Sequence, residues 1–190
     1  DKYIKNLVQK SFEIGHHISN KSIFSNNLNE DKNLIVSSHE DIKGSRVHML
    51  EFEIGPLFDQ LEEEKYLYDT SLMFAEEFSY RTGFTYPHYI FNISKKIPYK
   101  TIEIPLNIMD ISSNKYLHLN DKQFKKEILL FIDEGLKYGG AITLLFHNSY
   151  FFYNTESRLK MYDDLLSFLK EQKIPTGTCE QLYLWRKNLI

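Results

Sequence analysis

The chain has a single cysteine in 190 residues, Cys179, so it can form neither an intrachain disulfide nor a cysteine-based zinc site. A reducing compartment is permitted, and a cytoplasmic location is the expectation. Long hydrophobic runs are also missing. The nearly continuous apolar stretch 141–146 falls far short of the ~18 residues that a membrane-spanning helix needs, so no span is expected. Excess charge is lacking too: 23 Lys and Arg stand against 26 Asp and Glu, a formal net charge of -3. That balance gives no long-range attraction for nucleic acid or anionic lipid, and both partners are set aside. No Gly-rich phosphate loop, Gly-x-Ser-x-Gly elbow, internal repeat or low-complexity tract is present. Residue 1 is Asp, with no methionine or signal-peptide pattern, so the expected reading is a processing point or an edge within a longer protein.

What is present suits one α/β domain over residues 1–190, large enough to bury a substantial core. Aromatic residues are plentiful at 15%, including 13 Tyr and 14 Phe, which serve a core or a sugar-stacking surface equally well. The clearest helix signal runs from Asn120, an N-cap with Gln123 three residues on, through Phe124, Ile128, Phe131 and Ile132, to a stop at Gly139-Gly140. The apolar stretch 141–146 then reads as a parallel strand covered on both faces and ending at His147.

A helix over 156–171 follows, with Leu159, Tyr162, Leu165, Leu166 and Leu169 at helical spacing. Thr178 and Gln181 open a last helix that offers Leu182, Trp185 and Leu189 for packing, and Cys179 at its start is expected to have a lowered thiol pKa. Residues 101–105 alternate like a strand, with Pro105 marking an edge or an ending. Earlier, 3–10 reads as a helix, 12–14 as a strand, 19–43 as loops around a short helix, and 56–65 as a helix with Pro56 near its start. Glu62, Glu63 and Glu64 form a solvated face. Strands separated by helices imply mainly parallel pairing.

Four strings carry the chemistry: Glu13-Ile14-Gly15-His16-His17, Arg46-Val47-His48-Met49-Leu50-Glu51-Phe52, Tyr68-Asp69-Thr70-Ser71-Leu72, and Leu144-Leu145-Phe146-His147-Asn148. In this order they resemble the polysaccharide deacetylase family (NodB-like, carbohydrate esterase 4), in a divergent bacterial branch associated with surface-glycan gene clusters. The likeness extends through Tyr80-Arg81-Thr82-Gly83 and from Ile102 to Asp110. It implies an incomplete NodB-type (β/α) barrel and metal-assisted hydrolysis of N-acetyl groups on amino sugars. In such a barrel, side chains at the carboxyl ends of strands converge on one face.

The resemblance also implies roles. His17 is the metal ligand, for Zn or another divalent ion; His147 is the general acid; Arg46 orients a carboxylate. His48, Arg81 and Asn148 fall to substrate binding, Arg81 as a forked anchor for a sugar carboxylate or phosphate. Two elements of the family pattern are missing. The first-strand Asp pair has no counterpart, and Lys21 stands where the second metal-binding His belongs. An ammonium cannot ligate a metal. Asp69 and Asp110 are candidate replacement bases, Asp69 more naturally a structural strand-end aspartate.

Plainer readings stand beside each of these. His17 can simply donate a hydrogen bond, Arg46 can be a buried ion-pair partner of Asp69 or Glu13, Arg81 a solvated loop charge, and Asn148 a cap on the following turn. His16, His39, His88 and His118 are surface or structural residues. The alternative functions are a catalytically inactive, deacetylase-fold glycan-binding or scaffold domain, which Lys21 favours, and a protein-interaction module with an exposed apolar patch.

Overall fold

The computed structural model describes residues 2–36 and 42–188, and His39 and Leu189 lie outside them. In chain order the elements are α1 (Lys2–Gln9), β1 (His16–Ile18), α2 (Asn20–Phe24), α3 (Leu28–Val36), β2 (Gly44–Val47), α4 (Ile54–Glu63), β3 (Tyr68–Asp69), β4 (His88–Asn92), β5 (Ile97–Glu103), β6 (Ile108–Met109), α5 (Asp121–Tyr138), β7 (Leu144–Leu145), α6 (Thr155–Glu171) and α7 (Cys179–Lys187). They fall into two compact units. The first comprises Asp1–Leu72, Pro87–Ile104 and Thr178–Ile190; the second comprises Met73–Tyr86 and Pro105–Gly177.

The first unit is built on a five-stranded sheet of order β1-β2-β3-β5-β4. β1, β2, β3 and β5 pair in parallel, and β4 runs antiparallel to β5. The sheet is open, with β1 and β4 at its edges, so the mainly parallel α/β expectation holds while these strands do not close into a barrel. One face carries Ile18, Val47, Leu57, Phe58, Leu61 and Tyr99. Phe58 and Leu57 are wholly buried, each worth roughly 1.5–3 kcal/mol relative to exposure. Elsewhere Tyr68 and Ile102 pack against Leu182 and Tyr183 of α7. The register sets His16, Ser45, Asp69, Glu103 and His88 in one transverse row, one residue from each strand. All five are buried.

Gly44 opens β2 because the Tyr68 ring occupies the space a Cβ would need. Gly44→Ala is therefore expected to destabilise the first unit by about 1–2 kcal/mol through overpacking, read as a lowered denaturant midpoint at unchanged slope.

In the second unit β6 and β7 pair in parallel, Ile108 opposite Leu144 and Met109 opposite Leu145. Helices α5 and α6 cover them with Phe124, Ile128, Ile132, Met161, Leu165 and Leu169. Asn120 and Gln123 form a reciprocal capping box at the start of α5. Gly139 and Gly140, at φ 78° and 131°, end it in conformations that β-carbon-bearing residues avoid. Aromatic packing is dense around Phe146, whose ring centroid lies 5.9 Å from those of Phe124 and Tyr150.

Several elements depart from their sequence patterns. The first strand is His16–Ile18, not 12–14, because Glu13 is engaged outside the sheet: its carboxylate accepts from the Tyr68 hydroxyl and from Glu180 N at 2.9 Å. His17 therefore sits within the strand. Residues 19–43 hold two helices, α2 and α3, the first capped by Ser19. β5 ends before Pro105, as an ending but not as an edge, since it lies between β3 and β4. The strand expected over 141–146 shrinks to Leu144–Leu145, both half-buried. On α6 the core is met by Arg158, Met161, Leu165 and Leu169, while Leu159 and Leu166 face outward.

Candidate functional site

In the second unit two chain segments end side by side. β6 runs into Asp110, which is fully buried, and β7 runs through Phe146 into His147. One carboxylate oxygen of Asp110 accepts from the His147 backbone N–H at 2.6 Å; the other lies 2.6 Å from Nδ1 of the His147 ring. The second oxygen also accepts from the Ile111 backbone N–H at 2.6 Å. A carboxylate only accepts, so Nδ1 carries the proton and Nε2 is left to exchange protons with a ligand. A single buried carboxylate thus fixes the backbone position, tautomer and tilt of one imidazole, an arrangement suited to general acid or base work.

His147 and Asp110 line a groove of ≈ 480 Å³, shared with Asn114, Lys115, Tyr150, Tyr153 and Arg158. Asn114 and Lys115 come from a π-helical turn, Ser112–Tyr116, a rare backbone form that concentrates at functional sites. Arg158 stiffens the far wall: Nη1 donates to the Tyr150 carbonyl at 2.6 Å, and the guanidinium lies 4.1 Å from the centre of the Tyr150 ring. Its Nε is 3.5 Å from Asp121, to which the Tyr150 hydroxyl also donates at 3.2 Å. Burial, with Asp121 nearby, pushes the Tyr150 phenol up to about 12.

The first unit holds His17 and Arg46 on the adjacent parallel strands β1 and β2, and His48 in the 3-10 turn directly after β2. His17 is in register with Arg46 and donates from Nδ1 to the Arg46 carbonyl at 3.2 Å. The exposed rings of His17 and His48 meet edge to face, centroids 5.2 Å apart. Arg46 donates from Nε to the Thr70 carbonyl at 3.0 Å and to the Thr70 hydroxyl at 2.9 Å. Among the described residues it forms no salt bridge, so the expected ion pair with Asp69 or Glu13 is replaced by a clamp onto the loop after β3. Burial pulls the guanidinium's pKa down against the opposing fields of Cys179, Asp69, Glu103 and Glu13. Asp69 is structural, accepting from Ser45 Oγ at 2.6 Å and Ser71 N at 3.0 Å.

A hydrolytic zinc site needs about three protein ligands. Lys21 pairs with Glu30 at 3.3 Å on the surface, and among the described residues no group of three or more His, Cys, Asp or Glu side chains is placed around a common ion. The pair of imidazoles at 17 and 48 does not by itself fit the family's aspartate-and-two-histidine centre.

The remaining candidates fall as follows. Arg81 lies in the second unit, donating to the Met73 carbonyl at 3.0 Å and stacking its guanidinium over Phe74 at 5.4 Å, outside the lining of the His147 groove. Asn148 Oδ1 accepts from Ser149 N at 2.8 Å, a bond between neighbours inside the turn that follows His147, which has no side-chain cap. His16 is buried against the Tyr66 hydroxyl at 2.6 Å, and burial lowers its pKa to about 4. His88 is buried and His118 exposed. Cys179 does start a helix, but burial pushes its thiol up to about 11, the reverse of the lowered value expected there. The sequence reading did not single out Lys115, Tyr150, Tyr153 or Arg158. Their signal was positional only, in the segments that follow Asp110 and His147.

No family model matches the chain, and no curated protein matches it either. Among solved structures it is similar to the "putative polysaccharide deacetylase from Mycobacterium smegmatis", with a TM-score of 0.52 at 14% identity over 73% of this chain. The match spans 47% of the other protein, about half its length. The likeness is one of fold: both are mixed α/β chains, and in this one most strand pairs are parallel.

Proposed function

We propose that this chain is a polysaccharide deacetylase-like domain acting on N-acetylated amino sugars of bacterial surface glycans, its strands part of an incomplete (β/α) barrel. The observation that carries this reading is the Asp110–His147 pair at the ends of two parallel strands. Hydrolysis adds water across the amide, breaks the C–N bond and releases acetate and a free amine. The amine leaves only if its nitrogen gains a proton. Protonated at both nitrogens, His147 can give that proton from Nε2 while Nδ1–H stays on Asp110, so the ring neither turns nor loses its orientation. Tyr153, 75% exposed beside it, offers a face for a sugar ring.

A second reading, a glycan-binding domain without turnover, is favoured by the pairing of Lys21 with Glu30 and by the lack of a third ligand near His17 and His48 among the described residues. One experiment separates the two. The chain is incubated with N-acetylglucosamine oligomers and Zn, release of acetate and free amine is followed, and binding is measured in parallel by titration calorimetry. Acetate release that disappears in His147→Ala supports the hydrolase. Binding without release supports the second reading, and neither signal overturns both.

A further inference from the structure

The groove around His147 is lined by three charged side chains, Asp110, Lys115 and Arg158. Asp110 is engaged by His147, and Arg158 lies 3.5 Å from Asp121 and is held to the Tyr150 carbonyl. Lys115 remains. Among the described residues its ammonium has no carboxylate partner, and it rests 5.2 Å from the centre of the Tyr116 ring. A chain with a net charge of -3 therefore presents, in the lining of this groove, a cation that no carboxylate among the described residues pairs with.

The backbone holds that group in place. Ser112 and Ser113 are buried, and Ser113 Oγ donates to the carbonyl of Asp110 at 2.7 Å. Leu117 N closes the wide turn onto Ser112 O at 3.0 Å, and Leu119 N bonds to Ser113 O at 2.7 Å. The turn that carries Asn114 and Lys115 is thus tied to the residue that orients His147. A π turn is less regular than an α turn and persists only where its surroundings enforce it. Here it rotates an amide and an ammonium onto the groove wall.

We propose that Lys115 is a specificity residue, and that the groove selects glycans in which the N-acylated sugar carries, or adjoins, an anionic group. This rests on the deacetylase-type reading of the groove and narrows its substrate class. A lysine is a compact charge without the planar fork of arginine, so it accepts a uronate carboxylate or a sugar phosphate with equal geometric ease. Asn114, beside it, can hydrogen-bond the neutral part of the same sugar.

The test compares three probes at low salt by calorimetry: a neutral N-acetylglucosamine tetramer, a hyaluronan tetrasaccharide with alternating glucuronate, and N-acetylglucosamine 1-phosphate. The anionic probes are expected to bind roughly tenfold more tightly than the neutral one, with the margin shrinking as salt rises. Lys115→Gln removes the margin, read as the ratio of anionic to neutral affinity within the variant, and circular dichroism reports that the variant is folded. Tight binding of hyaluronan alone assigns a carboxylate, and of the phosphate alone a phosphate; either outcome supports the proposal. Equal binding of all three, binding of none, or an undiminished margin in Lys115→Gln overturns it. Failure here is distinct from failure of hydrolysis: an anionic preference without acetate release removes the catalytic reading alone, and equal release from neutral and acidic glycans removes the role of Lys115 alone.

Discussion

Asp110→Asn is expected to lower kcat for acetate release about 10²–10⁴-fold while leaving KM within a few fold. The reason lies in donor and acceptor counting. Asp110 accepts from His147 N, from His147 Nδ1 and from Ile111 N, so both oxygens are committed as acceptors. An asparagine keeps one acceptor oxygen and turns two N–H donors toward groups that also donate. Either His147 N loses its partner or the ring must present Nδ1 as an acceptor. In the second case the proton moves to Nε2 in the neutral form, and the two nitrogens exchange roles.

The damage should appear in proton transfer and not in sugar binding, because Asp110 is fully buried behind the imidazole. His147→Ala removes the proton donor outright. The double variant is then no slower than the slower single variant, since both act through one imidazole. Full activity in Asp110→Asn would remove the pair from the mechanism. A fall in melting temperature alone, with kcat intact, would mark it as structural.

The helices were legible because their signals are local. Asn120 with Gln123 and Thr178 with Gln181 both form reciprocal capping boxes, and Gly139 stops α5 where a left-handed residue was needed. The strands were legible in kind but not in extent, since strand length is set by partners far along the chain. Residues 141–146 look like one buried strand, yet β7 is only as long as its pairing with Ile108 and Met109.

His147 was found because an apolar run ended in an imidazole, and Asp110 only as a possible base. Its bond to a histidine 37 residues away leaves no periodic trace in sequence. Lys115 was invisible for the opposite reason, since one lysine in a polar segment reads as solvent-facing. Glu103 was missed through period-two reasoning: within β5, residues Thr101, Ile102 and Glu103 are all buried, so alternation does not separate inside from outside there.

That buried glutamate gives the first unit a pH-dependent cost, and Glu103→Gln is expected to stabilise the protein at pH 8 and to be near neutral at pH 4.5. Glu103 is wholly enclosed at the end of β5. Its Oε1 accepts from Leu72 N at 2.9 Å, and its Oε2 has no hydrogen-bond partner among the described residues. Beside it in register is Asp69, whose oxygens already take bonds from Ser45 and Ser71. Burial, with the Asp69 charge second, raises the Glu103 pKa well above its ordinary 4.5, against the smaller opposing pulls of the Leu72 N–H and Arg46. Burial raises Asp69 as well.

A proton on Oε2 resolves the conflict, because the orphaned oxygen becomes a donor toward Asp69. The folded state then keeps a proton that the unfolded chain releases above pH 4.5. The Glu103 contribution to unfolding free energy is therefore greatest below that pH and is lost as pH rises through the folded-state pKa, whereas buried His16, lowered to about 4, acts in the opposite direction between pH 4 and 6.5. Glutamine carries a permanent N–H donor at the same position and still accepts from Leu72, so it has no proton to lose. In urea titrations between pH 4.5 and 8 the midpoint of Glu103→Gln should rise above that of the parent chain by a margin that widens with pH and closes at the acid end, the His16 contribution being common to both proteins. Glu103→Ala controls for volume, since it removes the charge but leaves a cavity. Parallel curves for parent and Gln variant would mean that Glu103 is ionised in the fold and that Arg46, not a shared proton, neutralises it.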